Sequence, residues 1–371
     1  MSVAINGTNG ITFNDGSLQP SAPVGRNLII NGDMQIAQRA TSTSSITNNG
    51  YHTVDRFQTF NDTMGTWTQS QSTTAPSGQG FATSLKMDCT TADASPSAAD
   101  RLGIRQRFEG YNIAELGYGT ASAQTTTLSF WVRSNKTGTY IAELYGVTDN
   151  RQISKSYTIS SADTWEKKTI TFVGDTGGTY NNDNSNELII SWYLGAGSDY
   201  TSGTLSTTWG AKTDVDRAVG QVNLADSTSN EWYITGVQLE AGTTATPFEH
   251  LQYGQQLALC KRYYEHSYPY GTVAGTAGGN GAMHTCVGLT RPSGYGIETV
   301  FYTVEKRATA TVVLYAYNGT AGSISNGDNG ATIATADVIQ NSTKGFLPRQ
   351  TGGTTLAAQT YIYHYSASSE L

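Results

Sequence analysis

Charge is scarce in this chain: 29 acidic and 22 basic side chains among 371 residues leave a net charge of -7. Nucleic acids are held by basic surfaces that displace counterions, so a thinly charged acidic surface excludes them as partners. Cysteine is nearly missing as well. Cys89, Cys260 and Cys286 have neither the even count of a disulfide framework nor the spacing of a metal site, and read as small inert residues. No apolar run approaches the ~20 residues that span a bilayer. The opening MSVAINGTNG lacks the basic and apolar regions of a secretory signal, so neither membrane insertion nor ordinary export is expected.

Proline is rare, at 8, whereas the chain carries 41 glycines and 22 tyrosines and is rich in Ser, Thr and Asn. That composition favours short strands joined by polar turns over helices. Residues 1–26 read as an extended arm, with Ile11 and Phe13 alternating with polar neighbours, a turn at Asn14-Asp15-Gly16, and Leu18 on the return. From 27 to 250 the apolar pattern has period two. Strand-like runs occur at Leu28–Ile30, Arg56–Phe60, Thr83–Met87, Gly103–Phe108, Thr127–Ser134, Tyr140–Val147, Lys168–Phe172, Glu187–Leu194 and Trp232–Leu239. About eight to ten such strands between Gly/Ser/Asn/Asp loops predict an antiparallel jelly-roll β-sandwich.

A short helix then follows Pro247, with Tyr253, Leu257, Cys260 and Tyr264 on one face as a packing or trimer stripe. Runs at Met283–Leu289, Gly296–Phe301, Thr309–Tyr317 and Thr360–Tyr365 return to β character. The expected fold is therefore all-β: an N-terminal arm, a jelly roll, a short helix and a second, smaller C-terminal β-sandwich. The domain limits are 1–26, 27–250 and 251–371.

Catalytic chemistry is not legible. The histidines lack Ser or Cys partners in any known catalytic pattern. The acids Asp55, Glu109, Glu143 and Glu187 read as a local Asp55–Arg56 ion pair and as solvent-facing strand positions. A non-enzymatic protein without a cofactor is expected.

What remains is aromatic. In LSFWVRS, Leu128, Phe130 and Val132 share one face and leave Trp131 and Arg133 on the other; in ELIISWYLG, Leu188, Ile190, Trp192 and Leu194 point inward and leave Tyr193 outside. Exposed aromatic faces stack on sugar C–H surfaces while guanidinium and hydroxyl groups read the hydroxyls, which marks Trp131, Arg133 and Tyr193 as glycan-binding candidates. The same alternation places Tyr315 and Tyr317 opposite Leu314, and Tyr361 and Tyr363 opposite Ile362, as an outer tyrosine ladder.

Three phrases, GRNLIINGDMQIAQRA, YHTVDRF and WYITGVQLEAGTTATPFEHLQYGQQLALCKRYYE, together with GITFNDGSLQ and VEKRATATVVLYAYNGTAG, resemble bacteriophage tail-fibre and related virion appendage proteins. The resemblance implies a jelly roll similar to carbohydrate-binding modules, carried by a homotrimer on the virion. It further implies an arm that docks on other virion proteins through Ile11, Phe13 and Leu18, and a host-surface glycan as the distal partner. In such modules the first and last strands lie together and often hold a structural calcium, for which Asp33 would be the ligand. The final strand departs from that pattern at Thr235-Gly236, so Asp33 has a second reading as a hydrogen-bonded turn residue. Two alternatives share the arm and the sandwich: a purely structural head fibre, decoration protein or tail-fibre adaptor, and a polysaccharide depolymerase.

Overall fold

The computed structural model describes residues 25–278, 298–327, 329–351 and 360–371, and the backbone alone of 4–6, 10–12, 18–19, 284–287 and 333–334. In the arm, β1 (Ala4–Asn6), β2 (Gly10–Thr12) and β3 (Leu18–Gln19) form a small antiparallel sheet in which Ile11 pairs with Ile5 and Gln19, and Leu18 with Thr12. Phe13, expected to act with them, lies outside the described residues.

The body is a sandwich of β4 (Ser42–Ile46), β5 (Gln58–Asp62), β6 (Thr66–Ser72), β7 (Ser84–Thr91), β8 (Arg101–Glu109), β9 (Thr126–Ser134), β10 (Gly138–Gly146), β11 (Arg151–Ile159), β12 (Glu166–Phe172), β13 (Asn186–Ala196), β14 (Gly210–Ala211) and β15 (Glu231–Ala241). Among the described residues these make two six-stranded antiparallel sheets, ordered β14-β11-β10-β13-β8-β5 and β12-β9-β15-β7-β6-β4. The chain crosses between sheets at most connections, as a jelly roll requires. Their inner faces interdigitate around Leu128, Phe130, Val132, Leu188, Ile190 and Trp192, all fully buried. Strands β4 and β6 were not legible because their polar, Ser/Thr/Gln-rich sequences carry little apolar alternation; β11 was missed although Ile153, Tyr157 and Ile159 share one parity and are buried.

Residues 28–30 depart from expectation: they are irregular, not a strand, and Leu28 reaches the last strand through a single bond from its N–H to the Leu239 carbonyl, 2.9 Å. Asn31 and Met34 both adopt positive φ, 63° and 61°, so Asn31–Met34 is a sharp corner. The Gly32 carbonyl accepts from the Val237 N–H at 2.9 Å. A Cβ on Gly32 would lie 2.1 Å from the Val237 carbonyl oxygen, so the approach needs glycine. Opposite that corner β15 bulges: Thr235 pairs with Trp131 and Gln238 with Ser129, one extra residue on β15. The inward side chains accordingly change parity, from Trp232 and Ile234 to Val237 and Leu239.

The helix Tyr253–Lys261 forms as expected, but its stripe does not. Cys260 is buried, Leu257 partly so and Tyr253 exposed, while Tyr264 belongs to the next strand. The buried side of this helix is Gln256 and Cys260. Cys89 and Cys260 are free and buried; the side chain of Cys286 is outside the described residues.

Beyond the helix, β16 (Tyr264–His266), β17 (His284–Val287), β18 (Val300–Phe301), β19 (Thr311–Tyr315), β20 (Ser323–Asn326), β21 (Thr332–Ile339), β22 (Gly345–Gln350) and β23 (Thr360–Ser368) form one antiparallel sheet among the described residues. The long β23 pairs with β16, β17, β19 and β20, and the sheet encloses a core of its own. The run expected at Met283–Leu289 is described only for the backbone of β17.

That second core overturns the outer tyrosine ladder. Tyr361 and Tyr363 are fully buried beside Leu314, Ile324 and Phe346. A phenol can sit inside when its hydroxyl finds a partner: Tyr363 donates to Glu298 at 3.2 Å and Tyr365 to Glu265 at 2.8 Å. The acids expected to face solvent, Glu109, Glu143 and Glu187, are also internal, and Asp55, expected as a local ion-pair partner of Arg56, is buried as well.

Candidate functional site

The bulge and the corner together build a cleft on the outer face of the β12-β9-β15 side. Its floor is made by Ser129 and Trp131 of β9, with Lys167 of β12 opposite Trp131 on the adjacent strand. Gly236 occupies the bulge at φ 61°, and a Cβ there would lie 2.6 Å from the Phe81 ring, so the missing side chain is what seats Phe81 against the sheet. Phe81, Phe248 and His250 then pack ring against ring, with centroids 5.0 Å apart for Phe81–Phe248, 5.4 Å for Phe81–His250 and 4.8 Å for Phe248–His250.

The resulting cleft has a volume of about 430 Å³ and is lined by Trp131, Phe81, Phe248, His250, Lys167 and Gln79. Trp131 is partly exposed, and His250, Lys167 and Gln79 are exposed. A half-covered indole beside two phenylalanines, ringed by an ammonium, an imidazole and an amide, offers apolar faces to stack on and donors and acceptors to read hydroxyls.

Of the sequence candidates, only Trp131 lies in this cleft. Arg133 shares its strand face but is engaged elsewhere: its guanidinium bonds Asp163 at 2.8 Å and Glu231 at 3.1 Å, and lies 4.9 Å above the Tyr233 ring. Tyr193 is on the other sheet and buried, because residues 197–218 fold across that face and cover it with Ala218, Tyr200 and Leu205. Its hydroxyl donates to Glu143 at 3.3 Å. Tyr317 is exposed at the other end of the chain, and Tyr315 is half-buried with its hydroxyl 3.3 Å from Ser366. Phe81, Phe248 and His250 were missed because they sit in loops without period. Phe248 and His250 do fall inside a phrase quoted above, in TPFEH, whereas Phe81 lies in none of them.

Asp33 stands at the corner behind the cleft, 5% exposed. Its Oδ2 accepts from the Gln35 side-chain amide at 2.8 Å, and its Oδ1 has no partner among the described residues. Burial pushes its pKa above the ordinary carboxylate value, against the hydrogen bonds from Gln35 that lower it. A calcium ion takes about six to eight oxygens, several of them carboxylate. Here Gln35 turns donors toward the lone acid, and the described residues contain no group of three or more His, Cys, Asp or Glu side chains able to hold a metal. The side chains at the corner do not fit calcium.

The outer face of the other sheet carries a second, smaller cleft of about 210 Å³, lined by Arg101, Arg105, Arg217, Lys212, Tyr145 and Ser191. Arg217 is clamped by Glu143 through two bonds of 2.8 Å.

No protein-family model matches the chain, and no curated protein does. Similar solved structures include the enzymatically active domain of tailspike protein 4 of bacteriophage CBA120, at 13% identity over 60% of this chain and 24% of that one, TM-score 0.30. They include the CBM22-1 xylan-binding domain of Paenibacillus barcinonensis Xyn10C, at 7% identity over 60% of this chain and 99% of the other, TM-score 0.28. A third is the module TmCBM61 in complex with β-1,4-galactotriose, at 10% identity over 58% and 99%, TM-score 0.27. The chain thus spans about a quarter of the tailspike domain's length. Likeness of this degree carries no functional argument.

Proposed function

We propose that the protein is a non-enzymatic, glycan-binding appendage of a bacteriophage virion, a trimeric tail fibre or tail-tip adhesin, in which the Trp131 cleft takes a sugar of the host surface. The observation that carries the reading is the cleft itself: the partly exposed Trp131 beside Phe81 and Phe248, with His250, Lys167 and Gln79 at hydrogen-bonding positions around them. Stacking needs a flat apolar face held rigidly, and the bulge at Gly236 supplies that rigidity by fixing Phe81. The phage placement is supported by the phrases quoted from residues 10–19, 25–40 and 232–265, and by the short arm sheet that precedes the sandwich. The xylan and galactotriose named for the two modules are ligands of the proposed class; it is the cleft, not those likenesses, that supports this reading. Threefold presentation would multiply a weak single-site affinity.

The test is adsorption of the purified protein to host cells and to their isolated surface polysaccharide. Trp131→Ala and Phe248→Ala should each weaken binding about ten- to a hundredfold, the range for losing an aromatic anchor, with the thermal unfolding midpoint little changed. Unchanged adsorption in both variants would remove the cleft as the site. Sedimentation should give a trimer, and a stable monomer at micromolar concentration would remove the trimer.

A further inference from the structure

The second cleft holds a largely buried guanidinium that no acid answers. Four basic side chains line it, and three are neutralised: Arg101 by Asp62 at 2.5 Å, Lys212 by Asp214 at 3.3 Å, and Arg217 by Glu143 at 2.8 Å. Arg105 forms no ion pair among the described residues. Its Nε donates to the Gln58 amide oxygen at 2.6 Å and its Cζ lies 5.5 Å from the Phe60 ring, which fixes the plane of the guanidinium. Neither of its terminal nitrogens has a protein partner among the described residues.

Strand register places a second donor beside it. Gln58, Arg105, Ser191 and Glu143 stand opposite one another across β5, β8, β13 and β10. The Ser191 side chain is nearly buried, lines the cleft and makes no hydrogen bond among the described residues. Neighbouring strands are about 5 Å apart, so a free fork of two N–H groups and a free hydroxyl face the same small space. Tyr145 forms a wall, its ring 5.4 Å from the Arg217 guanidinium. Burial, with Arg107 and Arg101 nearby, lowers the Arg105 pKa to about 10, the mark of a positive charge left without its counterpart.

We propose, on the reading of the protein as a sugar binder, that this cleft takes the carboxylate of an acidic sugar, held by the Arg105 fork and the Ser191 hydroxyl. One uncompensated positive charge matches one carboxylate, and the planar fork suits its two oxygens. A doubly charged phosphate would meet the buried Glu143 carboxylate and the exposed Asp214 carboxylate that already hold Arg217. The volume, below the ~300 Å³ floor of drug-sized pockets, suits a single sugar unit. The ligand class is therefore an oligosaccharide bearing uronic or sialic acid, with the Trp131 cleft contacting sugar on the opposite sheet.

The experiment is an array that pairs uronic-acid and sialic-acid oligosaccharides with neutral ones of equal length, probed with the full chain. At least one acidic member should bind about tenfold more tightly than its neutral partner, and Arg105→Gln should abolish that preference, since charge-assisted bonds of this kind are worth about that factor. Arg105→Lys should restore only part of it, and Trp131→Ala should weaken binding of the neutral members while leaving the preference for the acidic ones in place. Thermal melts check that the variants fold. Neutral and acidic members binding alike, a preference that survives Arg105→Gln, or inorganic phosphate displacing the acidic sugar at equal concentration would each overturn the carboxylate site and leave the glycan reading standing. Silence of every sugar, neutral and acidic, would overturn the glycan reading itself.

Discussion

Single side chains in this protein are set by partners far away in sequence. Arg56, which reads as the ion-pair partner of the adjacent Asp55, instead pairs with Glu370 and lies 3.4 Å from the centre of the Tyr263 ring, while Asp55 accepts from the Gln38 backbone at 2.9 Å. Tyr193 shows the same effect with a consequence for experiment. Its alternation was read correctly, since it does point away from the main core, but the segment 197–218 makes a second small core there with Phe60, Ile141 and Ala218. Tyr193→Ala should therefore act through stability and not through a lost stacking surface. Truncating a buried aromatic removes its transfer energy and leaves a cavity, a cost of about 3 kcal/mol, and its absence also strips a donor from the buried Glu143. The expected result is a lower urea midpoint, with adsorption by the remaining folded protein close to normal.

At the scale of elements, the bulge in β15 does two jobs at once. It frees the Val237 N–H to meet the Asn31–Met34 corner, and it turns Gly236 outward under Phe81. Gly236→Ala should cost about 1–3 kcal/mol from its positive φ alone, and the added Cβ should push Phe81 off the sheet. Urea unfolding should show the loss of stability, and sugar binding should fall along with it. Normal binding in a folded Gly236→Ala protein would mean that Phe81 is not part of the site. The short helix is a second case: capped by Gln252 and Gln255 and buried at Gln256 and Cys260, it serves packing within the chain, and its exposed Tyr253 and Leu259 are what it offers outward.

At the scale of the molecule, the sandwich and the C-terminal sheet are locked together by buried polar pairs. Glu109, fully buried at the end of β8, takes Arg262 at 2.8 and 2.6 Å and the Tyr263 hydroxyl; Arg307 donates to the Asn184 carbonyl at 2.9 Å, and the buried Arg56 pairs with Glu370. Removing one partner of a buried pair leaves the other charge uncompensated. Because the Arg262 side chain is a third exposed, Arg262→Ala should cost about 2 kcal/mol, less than a fully buried pair. Limited proteolysis should then cut in the exposed 243–244 stretch and release the C-terminal piece beyond the cut faster than in the native chain. An unchanged cleavage rate would show that apolar packing, not this pair, joins the two halves.

The sequence by itself determined the fold class and most of the sandwich strands, because side chains on a half-buried strand must alternate and the inward rows at Leu128–Val132 and Leu188–Leu194 leave no other arrangement. It also marked Trp131, since parity alone puts that indole outside. Parity says which way a side chain points and not what covers it. Loops without period decided that: residues 197–218 closed over Tyr193, the C-terminal sheet curled around Tyr361 and Tyr363, and Phe81, Phe248 and His250 gathered beside Trp131. The lone charge of Arg105 was likewise beyond reach of the sequence, because a guanidinium is unanswered only once every carboxylate near it has been placed in space.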